Sequence, residues 1–232
     1  MKFSRSQTQR AMLRKNAHRL VCILALSAFS EASFSASAPW VGETLNKTVC
    51  QGKGQGYGPF DYTSPTDRKH LGIVEHYHFT SDVEHLRKGA SGSIALDLDY
   101  TLRAFPNHHR ALNAMMTFQL QKHIYNQRHS DIPPPECYFQ RAINFAPNDV
   151  NVYILYGIYL HKRGLKEHAL AQYQKALKIK PQDPELNYNI GLLLVELKRP
   201  DEALSHAKIA YQNGYPLPGL KTKLKHLGKW TD

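Results

Sequence analysis

The chain lacks an apolar run long enough to cross a bilayer. Its longest, Leu20 to Phe29, stops after ten residues at Ser30 and Glu31, where a spanning helix needs about 18 or more. It also lacks the patterns that announce catalysis. HExxH, HxxEH and GxSxG are all missing, which removes the usual helical zinc-hydrolase and serine-hydrolase signals. Gly52, Gly54, Gly56 and Gly58 alternate, but no strand precedes them and no helix or Lys-Ser/Thr pair follows, so they read as loop and predict no cofactor. Recognised nucleic-acid motifs are absent as well, which argues against a nucleic-acid partner. Cysteine is scarce, with three in 232 residues.

What remains is ordinary globular composition, 42% hydrophobic and 21% charged, with a formal net charge of +11. Part of that charge is local. The first 38 residues hold six cations against Glu31, leaving +6 beyond them. A basic stretch, the ten-residue apolar run and small residues through Ala38 read together as an export signal over residues 1–38. A cut between Ser30 and Ala38 is expected, and Pro39 argues against one directly after Ala38. The expected location is periplasmic or otherwise exported, with no transmembrane segment in the mature chain. In an oxidising compartment the two remaining cysteines, Cys50 and Cys137, suggest one disulfide.

The second half repeats itself. Gly157 and Gly191, Leu160 and Leu194, Ala169 and Ala203, Leu170 and Leu204, and Ala176 and Ala210 are each 34 residues apart, a spacing expected of stacked helix-turn-helix units. Glycine lets paired helices approach closely, and alanine leaves room for a neighbour's side chains. Gly164 falls where a first helix ends, Pro200-Asp-Glu suits a first turn, and Pro181 closes one unit. With Tyr153, Tyr159 and Tyr173, these positions resemble the signature of the tetratricopeptide-repeat family. That resemblance implies an all-α fold, a right-handed superhelical array of helix-turn-helix repeats that binds proteins. Regular repeats are expected at 150–183 and 184–217. Before them Phe139, Ala142 and Pro147 continue the pattern, and Leu98, Thr101 and Pro106 match these at a spacing of 41, so residues 93–149 read as degenerate repeats. Leu217, Leu220, Leu224 and Leu227 share one helical face, and 218–232 reads as a lysine-rich capping helix.

Residues 39–92 do not repeat. They read as an irregular N-terminal extension packed on the array, with a short helix started by a Ser81-Asp-Val-Glu84 capping box and stopped at Gly89. Asp97 and Asp99 are expected to be surface or capping charges. In an extended stretch His76 and His78 would face one side, where two imidazoles could hold copper or zinc. This metal-binding reading is the alternative to the main one, a non-enzymatic scaffold or adaptor of the bacterial cell envelope. In the resembling family the first helix of each repeat lines the inner curve. Here that face carries Asn151, Ile154, Ile158 and His161, then Glu185, Tyr188, Leu192 and Val195, a largely apolar groove for a protein or peptide partner. The occupant is either such a partner or the chain's own extension.

Overall fold

A computed structural model of the chain describes residues 37–121 and 132–231. Residues 1–36, which carry nearly all of the expected export signal, lie outside the described residues. The described part is an array of α-helices, and none of its helices is long and apolar enough to cross a membrane.

The array begins with a lone second helix, α3 (Ile94–Ala104). Helices α4 (His109–Leu120) and α5 (Pro135–Phe145) form the next unit, followed by α6 (Val150–Lys162) with α7 (Lys166–Ile179), and α8 (Pro184–Glu196) with α9 (Pro200–Gln212). Helix α10 (Gly219–His226) packs on both α8 and α9. Local chemistry starts several of these helices. Asp149 and Asp183, again 34 apart, cap α6 and α8 by accepting from Asn151 N and Leu186 N, and proline stands in the first turn of α5, α8 and α9. Gly164 and Lys198 hold the same place in the turns after α6 and α8, and both have positive φ, 76° and 61°. Lysine therefore occupies a left-handed position that glycine takes without strain.

The repeated small residues mark close approaches. A Cβ placed on Gly157 would lie 2.2 Å from the Tyr173 ring, and one on Gly191 would lie 2.3 Å from Leu220. Tyr173 of α7 thus lies across α6, and Leu220 of the capping helix rests on α8. Leu220 and Leu224 are buried, whereas Leu217 and Leu227 at either end of that stripe are exposed.

The extension is more helical than its sequence suggests. A 3-10 turn at Asp67–His70 leads into α1 (Leu71–His78), and α2 spans Ser81–Glu84. Thr80, not Ser81, caps α2, accepting from Val83 N. The ribbon from Ala38 to Gly56 lies on α3 and α5. A disulfide joins Cys50 to Cys137. Gln140 exchanges hydrogen bonds with the Glu43 backbone, and Trp40 packs edge-on against Tyr138 at 5.1 Å. Arg141, 2% exposed, donates to the carbonyls of Ala38 (2.7 Å), Leu102 (2.6 Å) and Arg103 (3.4 Å) and to the side chain of Gln55 (2.7 Å).

Two carboxylates that read as surface charges are core groups. Asp97 and Asp99 do point different ways from α3, but each finds its own hydrogen-bond partners. Asp97 accepts from the backbone N–H groups of Ala90, Ser91 and Gly92 and pairs with His78. Asp99 accepts from the Tyr138 hydroxyl (2.7 Å) and from Arg103 (3.0 Å).

Candidate functional site

The first helices α4, α6 and α8 line a cleft of about 220 Å³. Its walls are Glu84 of α2, His109, Arg110 and Asn113 of α4, Asn151, Ile154 and Leu155 of α6, and Glu185 of α8. The described extension contributes Glu84 to the rim and packs on α3, α4 and α5. Its carboxylates at Glu75 and Glu84 hold Arg110 at one end of the cleft, and the rest of the lining comes from α4, α6 and α8.

The charges in the cleft are ordered. Arg110 donates to both oxygens of Glu84 and to Glu75 at 3.2 Å, and those bonds raise its pKa. The same hydrogen bond holds the Glu84 carboxyl below its ordinary value. Glu75 is lowered first by its hydrogen bond with His108. His108 is fully buried, caps α4 by accepting from Ala111 N, and is pushed down by desolvation. His109 Nε2 lies 2.7 Å from Asp149, and buried Asn107 bridges Asp149 to Asp61 of the extension. On the far wall Glu185 has no ion-pair partner among the described residues. Desolvation in the concave wall raises its pKa, and Asp183 adds to this.

The sequence-predicted groove residues divide. Asn151, Ile154 and Glu185 line the cleft. Ile158, Leu192 and Val195 are half-buried further along α6 and α8. His161 is tied to Glu196, which also accepts from Lys166; against the upward push of burial, these bonds hold the Glu196 carboxyl below its ordinary value. Tyr188 is only 7% exposed, its ring 4.3 Å from that of Tyr215 and 6.5 Å from that of Tyr211. The return segment before α10 has taken that surface.

Sequence reasoning missed Arg110 and Asn113. The signal was present: continuing the spacing of 41 from α3 and α5 into α4 and α6 sets Arg110 against Asn151 and Asn113 against Ile154.

The histidine pair requires a correction. His76 and His78 lie on helix α1, not in an extended stretch, so residues two apart diverge around the axis and cannot share one ion. His76 is exposed, and His78 is held by Asp97. No group of three or more His, Cys, Asp or Glu side chains gathers to hold a metal among the described residues.

Paired helices stacked around a concave first-helix surface define a helical-repeat binding array. The chain carries a tetratricopeptide repeat, since residues 157–198 match the family model described as TPR repeat. A 105-residue stretch is 30% identical to human protein O-mannosyl-transferase TMTC3, covering 45% of this chain and 11% of that protein. The match thus spans about a tenth of the relative's length. Among solved structures, MamA MSR-1 gives a TM-score of 0.41 at 20% identity, covering 62% of this chain and 72% of that one. A second MamA crystal structure gives 0.43 at 18% identity, covering 70% and 87%.

Proposed function

We propose that the chain is a non-enzymatic adaptor of the bacterial cell envelope that holds a protein or peptide partner across α4, α6 and α8. One observation carries this reading. A cleft stays open across the first helices, although the extension packs on α4 and lends Glu84 to the rim and α10 packs on α8. Half-buried Ile158, Leu192 and Val195 offer apolar contact along α6 and α8, and Arg110, Asn113 and Asn151 offer polar groups near the helix starts.

A photo-crosslinking residue at Asn151 is expected to trap a defined partner, whereas one at exposed Lys175 on α7 traps none. Ile158→Asp together with Leu192→Asp should weaken capture by about tenfold or more, as loss of central interface contacts does, with the helical circular dichroism retained. Equal crosslinking from both positions would remove the assignment to this groove. Tyr188 is unsuitable for that test, because a charge there would disrupt its packing on Tyr215.

The envelope location is supported by the apolar run at Leu20–Phe29 and by the Cys50–Cys137 bond. Arg141 then limits where maturation can cut. The Ala38 carbonyl is one of its acceptors and the Ala38 side chain is buried, so a cut after Ala38 would discard a built contact. The mature form is expected to begin at or before Ala38, as N-terminal sequencing of the exported protein will show. A chain beginning at Pro39 would contradict this.

A further inference from the structure

Where α1 meets the later turns of α3, a second pocket of about 260 Å³ is lined by Tyr57, Ile73, Val74, Tyr77, His78 and Tyr100. It shares no lining residue with the α4–α6–α8 cleft. We propose that this pocket binds an aromatic ring bearing a hydrogen-bond donor, an indole above all, with His78 Nε2 as the acceptor.

The argument starts behind the pocket. Asp97 is buried and accepts from three backbone N–H groups, the environment of an ionised carboxylate, which can only accept. His78 Nδ1, 2.9 Å from Asp97, therefore carries the proton. In the neutral ring Nε2 is left as an acceptor, and it has no partner among the described residues. The imidazole is also stacked on Tyr100 at 3.8 Å, which fixes its plane.

The other walls are set as firmly. The Tyr57 hydroxyl lies 2.6 Å from His70 Nδ1, and its ring meets Phe60 edge-on at 4.9 Å. The Arg103 guanidinium sits 5.5 Å from the centre of Tyr100. Ser91 donates to the Tyr77 carbonyl and anchors the end of α1. Ile73 and Tyr77, one turn apart on α1, stand 56% and 54% exposed at the rim, apolar surface of the kind that marks a binding site.

These walls select the ligand by chemistry. Aromatic rings meet aromatic walls edge-on or offset with favourable electrostatics. An aliphatic group would leave Nε2 unpaired. A carboxylate would face a lone pair and the negative ring faces, and a small ammonium, though it could donate to Nε2 and rest on a tyrosine face, would leave the apolar rim of Ile73 and Tyr77 uncovered. A neutral ring with one N–H or O–H meets every wall. Such a ring is supplied by a tryptophan side chain of a partner protein or by a free indole-type molecule.

The test titrates the full chain, in separate arms, with N-acetyl-tryptophanamide, with N-acetyl-phenylalaninamide and with a glycine-flanked tryptophan pentapeptide, following the backbone amides of Val74 and Tyr100 by NMR. The indole amide should saturate and bind about tenfold tighter than the phenyl amide, since a site built to pair a donor rejects the analogue lacking it. His78→Phe keeps the stack on Tyr100 and should level the two ligands. Tyr77→Ala, at an exposed rim position, should weaken indole binding roughly fivefold or more while leaving the melting temperature in place. If the pentapeptide binds tighter than the amide, the natural source is a protein side chain; if not, it is a free small aromatic, and both results sustain the site. Failure of every arm to saturate, an indole preference that survives His78→Phe, or indifference to Tyr77→Ala overturns the proposal. None of these failures touches the reading of the first-helix cleft.

Discussion

Arg141→Met is expected to lower the stability of the chain by about 3 kcal/mol and to expose residues 39–56 to protease. A buried ion pair replaced by a well-packed apolar group is often neutral, because two desolvated charges leave together. Arg141 differs in that no carboxylate hydrogen-bonds to it. Its donors end on the carbonyls of Ala38, Leu102 and Arg103 and on Gln55. Each of these oxygens that stays buried without a donor costs about 1–3 kcal/mol. Relief of a strained charge offsets part of that loss, since burial pushes the Arg141 guanidinium down to about 10. The oxygens outnumber the single charge, so the net effect is destabilising. Loss of the guanidinium stack on Trp40, 5.0 Å away, adds to it. Urea unfolding measures the change, and a loss below about 1 kcal/mol, the scale of one ordinary hydrogen bond, would mean that Arg141 does not hold the extension.

Removal of the Cys50–Cys137 bond is the second large effect. The bridge spans a sequence separation of 87, and closing such a loop in the unfolded chain corresponds to about 4.5 kcal/mol in the chain-entropy treatment, with measured losses typically 2–5 kcal/mol. Cys50→Ser with Cys137→Ser should therefore lower the unfolding free energy within that range. Both cysteines are buried, so reductant acts through transient opening of the extension, and Arg141→Met should speed reduction of the otherwise native protein. Combined with Arg141→Met, the double serine variant should lose less than the sum of the separate losses, because both changes release the same ribbon. Strict additivity would mean that the two ties act on independent parts of the fold.

The array was legible because its signals are periodic and redundant. Gly157 with Gly191 and Ala169 with Ala203 recur at 34, and each recurrence answers to a helix contact. Residues whose environment is made by distant chain were not legible. Arg141 reads as an ordinary cation on a second helix until the ribbon from Ala38 covers it. Asp97 becomes a core group only because the chain at 90–92 turns its N–H groups inward. Helix α1 has eight residues, too few to show a 3.6-residue period. Within the cleft, Asn151, Ile154 and Glu185 could be named from the regular repeats. Arg110 and Asn113 required the spacing of 41 to be carried into α4, because α4 belongs to the degenerate unit.

The first helices also act as a ruler. Three of them, α4, α6 and α8, lie side by side, with the extension built onto α3, α4 and α5 and α10 seated on α8 and α9. Neighbouring helix axes stand about 8–10 Å apart, so the span from the first to the third is roughly 16–20 Å, which an extended strand crosses in about five or six residues at roughly 3.3 Å each. An extended segment laid along this face would therefore meet the three helices with only a few of its residues. The remainder of any longer segment would lie beyond the groove, on other surfaces.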